Sequence, residues 1–172
     1  VLAQLPSKTG SGVYYSNMIE GFKKYNHEQK AIFGCQDGYN WNTLDKEDQY
    51  PVIFKSKELP FPIVGMSNVM PYESTLYSSM TEEMLGIYRE AFRRKLEKVK
   101  EDFNPDVIFA HHLWILTSLA REVFPDTKII GICHNTDLRQ AKMNPHLKDK
   151  YVDRIHELDY VFSASEHQKD EI

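Results

Sequence analysis

The sequence predicts an α/β domain built on a doubly wound parallel sheet of about six strands, and three observations predict it. Short apolar runs alternate with stretches whose apolar residues recur at helical spacing. The runs at residues 107–110 and 128–133 are apolar along nearly their whole length, as strands covered on both faces are. A helical stretch over 113–124, with Leu113, Leu116, Ala120 and Val123 on one side, joins those two runs. Strand, helix and strand of this kind form a right-handed βαβ unit. Both strands end in polar residues, the first in His111-His112 and the second in His134-Asn135-Thr136-Asp137. Open parallel sheets bind ligands outside the carboxyl ends of their strands. Imidazoles therefore gather where a site is expected.

Residues 1–5 read as a short first strand and 6–11 as a loop. Gly10, Ser11 and Gly12 lead into a helix, with Tyr14, Met18, Phe22 and Tyr25 as its apolar face. A glycine loop from strand to helix presents backbone N–H groups and a positive helix end, which suit a phosphate. It also serves as a tight turn that needs glycine for its backbone alone. The dinucleotide fingerprint G-x-G-x-x-G fails at Tyr15, and no Gly-Lys-Ser/Thr completes a P-loop. Residues 30–35 and 50–54 are the second and third strands, separated by the turn Asp37-Gly38-Tyr39-Asn40. Residues 59–71, with Pro60, Pro62 and Pro71, form an ordered, unusually apolar loop that covers the core or walls a cleft. The longest helix spans 79–103, capped by Ser79 with Glu82, and buries Met84, Ile87, Tyr88, Ala91, Phe92, Leu96, Val99 and Phe103. A helix over 144–158 and a strand over 159–162 follow, then a terminal helix with Ser165 as N-cap. Alternation and crossover handedness predict six parallel strands in the order 3-2-1-4-5-6.

A net charge of −4 leaves no basic stripe for nucleic acid. Cys35 and Cys133 lack close spacing and read as reduced, buried thiols of a cytoplasmic protein. No signal peptide is visible, and no apolar run approaches the ~20 residues that span a bilayer. The chain starts at Val1, inside a strand, and stops at Ile172, after one turn of a helix, as a piece of a longer protein cut near a domain boundary would. His111, His112, His134 and His146 could be imagined around zinc, but no close-spaced Cys/His motif or carboxylate pair completes a set, so no metal is expected. Gly65-Met66-Ser67-Asn68-Val69 lacks the last glycine of a nucleophile elbow.

The succession PSKTGSG before a helix, PDVIFAHH, IIGICHNTD and DYVFSASEHQKDEI resembles the amino-terminal, acceptor-side domain of GT-B glycosyltransferases of family 4. The resemblance covers nearly the whole chain, and the last three motifs in that order are its most specific part. It implies one Rossmann-like half of a two-domain enzyme, occupying residues 1–172, whose partner domain holds the nucleotide-sugar. It implies sugar transfer with retention, without a metal or other cofactor. The Gly10, Ser11 and Gly12 loop would lie against the donor diphosphate and stabilise charge on the leaving phosphate. His134 would reach the transferred sugar as the catalytic histidine. His111, His112, Asn135, Asp137 and Ser165 would bind the acceptor. The family's E-x7-E pattern belongs to the other domain; Glu20 with Glu28, and Glu82 with Glu90, share the spacing by coincidence.

On its own the chain is not expected to catalyse, because the nucleotide half is absent from it. The alternative is a non-catalytic α/β binding module, or a subunit needing a separate donor-domain partner. A nicotinamide enzyme is disfavoured by the missing third glycine and by Gly34-Cys35-Gln36, where an acidic residue should end the second strand. The apolar 59–71 loop also suits peripheral membrane contact or a lipid-linked acceptor.

Overall fold

The computed structural model describes residues 1–163 and 166–172. Helix α1 (Gly10–Lys23) is followed by two strands paired in parallel, β1 (Ala31–Gln36) and β2 (Gln49–Phe54). Two-residue strands β3 (Val64–Gly65) and β4 (Thr75–Leu76) pair in parallel beyond them. Then come α2 (Glu82–Asp102), β5 (Val107–His111), α3 (Ile115–Val123) and β6 (Lys128–Cys133). Helices α4 (Thr136–Met143) and α5 (Pro145–Tyr151) lead to β7 (Tyr160–Ser163) and α6 (Glu166–Lys169). Strands β5, β6 and β7 form a second parallel ladder in that order.

Residues Val1 and Leu2 stitch the two ladders together. The Leu2 amide donates to Ile32 O (3.0 Å) and Gly34 N donates to Leu2 O (3.2 Å), while His111 N donates to Val1 O (3.0 Å). The order is therefore β2, β1, the Val1–Leu2 segment, β5, β6, β7, with every described pairing parallel. This is the expected 3-2-1-4-5-6 order of a Rossmann-like half, with its first strand reduced to a bridge.

The sheet and α2 share the main core. Tyr88, Phe92 and Leu96 are fully buried on α2, and the Phe54 ring lies 6.2 Å and 6.4 Å from those of Tyr88 and Phe92. The cap of α2 is Thr81, whose hydroxyl accepts from Met84 N, and not Ser79, which sits in a 3₁₀ turn. The 59–71 loop divides in two: Leu59, Phe61, Ile63, Val64 and Met66 are core, whereas Val69 at its tip is 85% exposed.

Helix α1 buries a different face from the expected one. Ser11, Gly12, Tyr15, Ser16 and Ile19 point inward, and Tyr14 and Tyr25 are exposed. The small residues decide this. A Cβ on Gly12 would stand 2.5 Å from Leu5 O and 2.9 Å from Ser7 N, so the helix rests directly on the 5–7 backbone. The expected helix over 144–158 is also shorter. It stops at Tyr151, and Ser118 takes the next turn into tertiary contact, accepting from Arg154 N (3.2 Å) and donating to Asp153 (3.3 Å).

Gly12→Ala is expected to lower unfolding free energy by about 1–3 kcal/mol, since backbone atoms must move to admit the methyl group. Gly10→Ala, which meets nothing within 4 Å, should change it by less than about 0.5 kcal/mol. Urea melts of both variants check the pair; equal losses would show that close approach is not the reason for Gly12.

Candidate functional site

Strands β5 and β6 end side by side, and the polar residues after them meet. His111 Nδ1 lies 3.0 Å from His134 Nε2. The rings of His112 and His134 are 4.7 Å apart, and Thr136 Oγ1 lies 3.4 Å from His112 Nδ1. Helix α1 closes one side: the exposed Tyr14 ring sets its edge against His111 (5.7 Å) and His134 (5.6 Å), and buried Tyr15 lies 5.1 Å from His111. So the start of α1 and both strand ends converge, as the topology requires.

The strand ends are held by Asp137, in the first turn of α4. Its buried carboxylate accepts from Leu113 N (2.7 Å), His134 N (3.2 Å) and Leu138 N (3.2 Å). It thereby ties the loop after β5 to the loop after β6. The backbone on either side of it is strained: His112 and Asn135 adopt φ of 69° and 64°, in the left-handed region. Such conformations gather at functional sites because surrounding bonds must hold them there. His112 O accepts from Trp114 N and Thr117 Oγ1, and His112 N donates to Ile132 O (2.9 Å).

Burial fixes the charge of the cluster. His111 and His112 are 1% and 3% exposed, and His134 is half-buried. Loss of hydration drives the His111 imidazole well below its ordinary value, His112 down to about 3, and His134 downward. All three are neutral near pH 7. Burial pushes the free thiols of Cys35 and Cys133 up to about 12, so neither is a nucleophile.

The residues expected to bind ligand differ in what they can offer. His134 is half-buried and bonded to His111, rather than turned wholly to solvent. His111 and His112 lie beneath it, and Asn135 is exposed at the rim. Asp137 is spent on backbone amides and acts as a positioning residue. Ser165 lies outside the described residues. Gly10 and Gly12 belong to the first turn of α1, where Gly12 N already donates to Thr9 Oγ1 (3.1 Å). The buried Ser11 hydroxyl donates to Gln4 Oε1 (3.2 Å). Gln4 and Tyr14 are neighbours the sequence did not place at the site, and Thr136 was read there only as one of the polar residues after the second strand. Gln4 and Thr136 carry no periodic signal, and Tyr14 looked like core. Among the described residues no group of three His, Cys, Asp or Glu side chains could hold a metal ion, and no helix is long and apolar enough to cross a membrane.

A Rossmann-like half with polar side chains gathered at its strand ends is the kind of domain that binds its ligand outside those ends. The chain matches the model of the glycosyl transferase family 4 group over residues 65–170, and it belongs to that family. Membership implies a sugar donor and an acceptor as substrates. The match contains His111, His112, His134, Asn135 and Asp137, but not the start of α1. No curated protein and no solved structure matches the chain.

Two outcomes follow from the site's construction. Asp137→Ala should destabilise the fold by about 2–4 kcal/mol, because buried amides of two loops lose their acceptor; a denaturant midpoint close to wild type would show that Asp137 does not hold the loops. The histidines give a pH dependence of definite sign. Their folded values lie below the ~6.5 of the unfolded chain, so the unfolded state binds more protons below that pH. Stability is complete above pH ~6.5 and falls as pH drops below it, the His112 contribution being lost by about 1.4 kcal/mol per pH unit from there towards 3. Unfolding curves across pH 4–8 for wild type and His112→Gln measure it; an unchanged slope in the variant removes His112 from the account.

Proposed function

We propose that this chain is the acceptor-binding half of a glycosyltransferase that moves a sugar from a nucleotide-sugar to an acceptor, with retention at the anomeric carbon and without a metal. The observation that carries the reading is the meeting of His111, His112 and His134 at adjacent strand ends beside the first turn of α1. Family membership supports the class of chemistry. In this reading a donor-side domain closes over the strand ends and brings the nucleotide-sugar with it. His134 contacts the transferred sugar near the reacting carbon. The free backbone N–H groups at the start of α1 face the diphosphate and favour charge on the leaving phosphate. Asn135, at the exposed rim, meets the acceptor together with the exposed tip of the 59–71 loop. The buried free thiols support a reducing, cytoplasmic setting.

The neutral His134 ring orients a sugar hydroxyl and excludes water from one side of it. If that contact tightens in the transition state, His134→Ala in the full-length enzyme lowers kcat by about 10–1000-fold, equivalent to about 1.4–4 kcal/mol. Steady-state kinetics and a melting curve on the same variant test this. Near-normal kcat with a clearly lowered Tm would make His134 a brace for the strand end and remove it from the chemistry.

A further inference from the structure

We propose that His111 sets the tautomer of His134, holding the His134 proton on Nδ1, so that His134 meets the transferred sugar as a hydrogen-bond donor and not as a base. The inference rests on the proposed function for its sugar, but not for its tautomer.

The geometry comes first. The His111 and His134 ring planes differ by only 16°, their centroids are 5.2 Å apart, and the facing nitrogens are 3.0 Å apart. Rings so placed meet edge to edge in nearly one plane, the direction in which a ring N–H points. One of the two nitrogens must therefore donate and the other accept.

The choice follows from what lies at the far edge of His111. Its Nε2 is buried and has no hydrogen-bond partner among the described residues. If His134 Nε2–H donated to His111 Nδ1, the neutral His111 ring would carry its proton on that orphaned Nε2. If instead His111 Nδ1–H donates, the buried orphan is a bare lone pair. Buried N–H groups without acceptors are rarer than unused acceptor positions, so the second arrangement is favoured. His112 repeats the pattern: its Nδ1 faces the Thr136 hydroxyl and its buried Nε2 has no partner among the described residues. With His134 Nε2 occupied as an acceptor, the neutral His134 ring carries its proton on Nδ1. That nitrogen has no partner among the described residues and is not among the buried orphans, so it is the edge left for a ligand. A ring with its lone pair engaged by His111 cannot take a proton from a hydroxyl; it can only offer one to an oxygen. His111 is thus a positioning residue.

The test reads the tautomer directly. Long-range proton–nitrogen correlation spectra of the ¹⁵N-labelled chain near neutral pH should show His134 with a protonated Nδ1 and a bare Nε2. His111→Leu removes the donor and should let the Nε2–H form of His134 appear. His111→Asn, whose carboxamide nitrogen takes the place of Nδ1, should restore the wild-type pattern. A wild-type His134 protonated on Nε2 would overturn the proposal. A folded His111→Leu variant with unchanged His134 shifts would do the same, as would a folded Asn variant that fails to restore them. If His111→Leu does not fold, the wild-type spectrum and the Asn variant decide. None of these readings uses transferase activity, so failure of the functional proposal and failure of this one are separate results.

Discussion

The Asp137 carboxylate is the constraint on which the site depends. It sits one turn past β6 yet accepts from the amide of Leu113, past the end of β5. A single buried anion therefore satisfies donors from two crossovers, and charge-assisted bonds of this kind are stronger than neutral ones. Without it, the loops after β5 and β6 would be joined chiefly by side-chain contacts between imidazoles. With it, His111, His112 and His134 inherit positions fixed by the sheet. The helix that carries Asp137 is short and polar, and little apolar burial holds it; the carboxylate is what ties its first turn to the core.

That rigidity has a cost in local conformation. His112 and Asn135 both occupy the left-handed region, at about 1–3 kcal/mol each. Asn135, with ψ of −34°, stands in a tight turn that Thr136 N closes on His134 O (2.7 Å), a conformation that is rare and strained. The turn at His112 is over-determined by its bonds to Ile132, Trp114 and Thr117. The result is that successive residues of one chain, His111 and His112, both reach His134 although they start on opposite faces of a strand. An extended continuation would send one of the rings to the other side of the sheet. Strain at His112 is what makes a three-histidine cluster possible on two strands.

These relations explain how much could be read from residues alone. The strands of the main sheet, their order and the convergence of His111 with His134 were legible because apolar runs report parallel strands and the crossover rule leaves few topologies, whereas the two-residue pair β3 and β4 is too short to leave such a run. Helix α4 was not, because Thr136–Met143 has little apolar periodicity and its stability comes from Asp137 and from Gln140, which donates to Met66 O across the fold. The 144–158 stretch has a helical pattern throughout, but capture of residues 153 and 154 by Ser118 outweighs it. The role of Asp137 was hidden for a related reason. Sequence places a carboxylate beside a histidine, and only the three-dimensional count of amides shows that it has no bond to spare for a ligand.

The first helix shows most sharply how a missing atom shapes a site. Large side chains suggested that Tyr14, Met18, Phe22 and Tyr25 face the core, but close approach at Gly12 turns the buried face by one residue. Tyr15 then goes inward, stacks on Trp41 at 5.6 Å and supports His111 from below. Tyr14 goes outward and lines the rim beside His134. A helix standing further from the 5–7 backbone would lose the register that puts one tyrosine under the cluster and the other beside it. Gly12 thus has a packing reason sufficient by itself, independent of any phosphate. Its N–H, already given to Thr9, agrees with that. The part of α1 that remains open to a ligand is its exposed first residue and the Tyr14 edge one turn on. Under the proposed function, what α1 would offer a ligand is accordingly the exposed edge of Tyr14, with the backbone of its first turn adding what the cap at Thr9 leaves free.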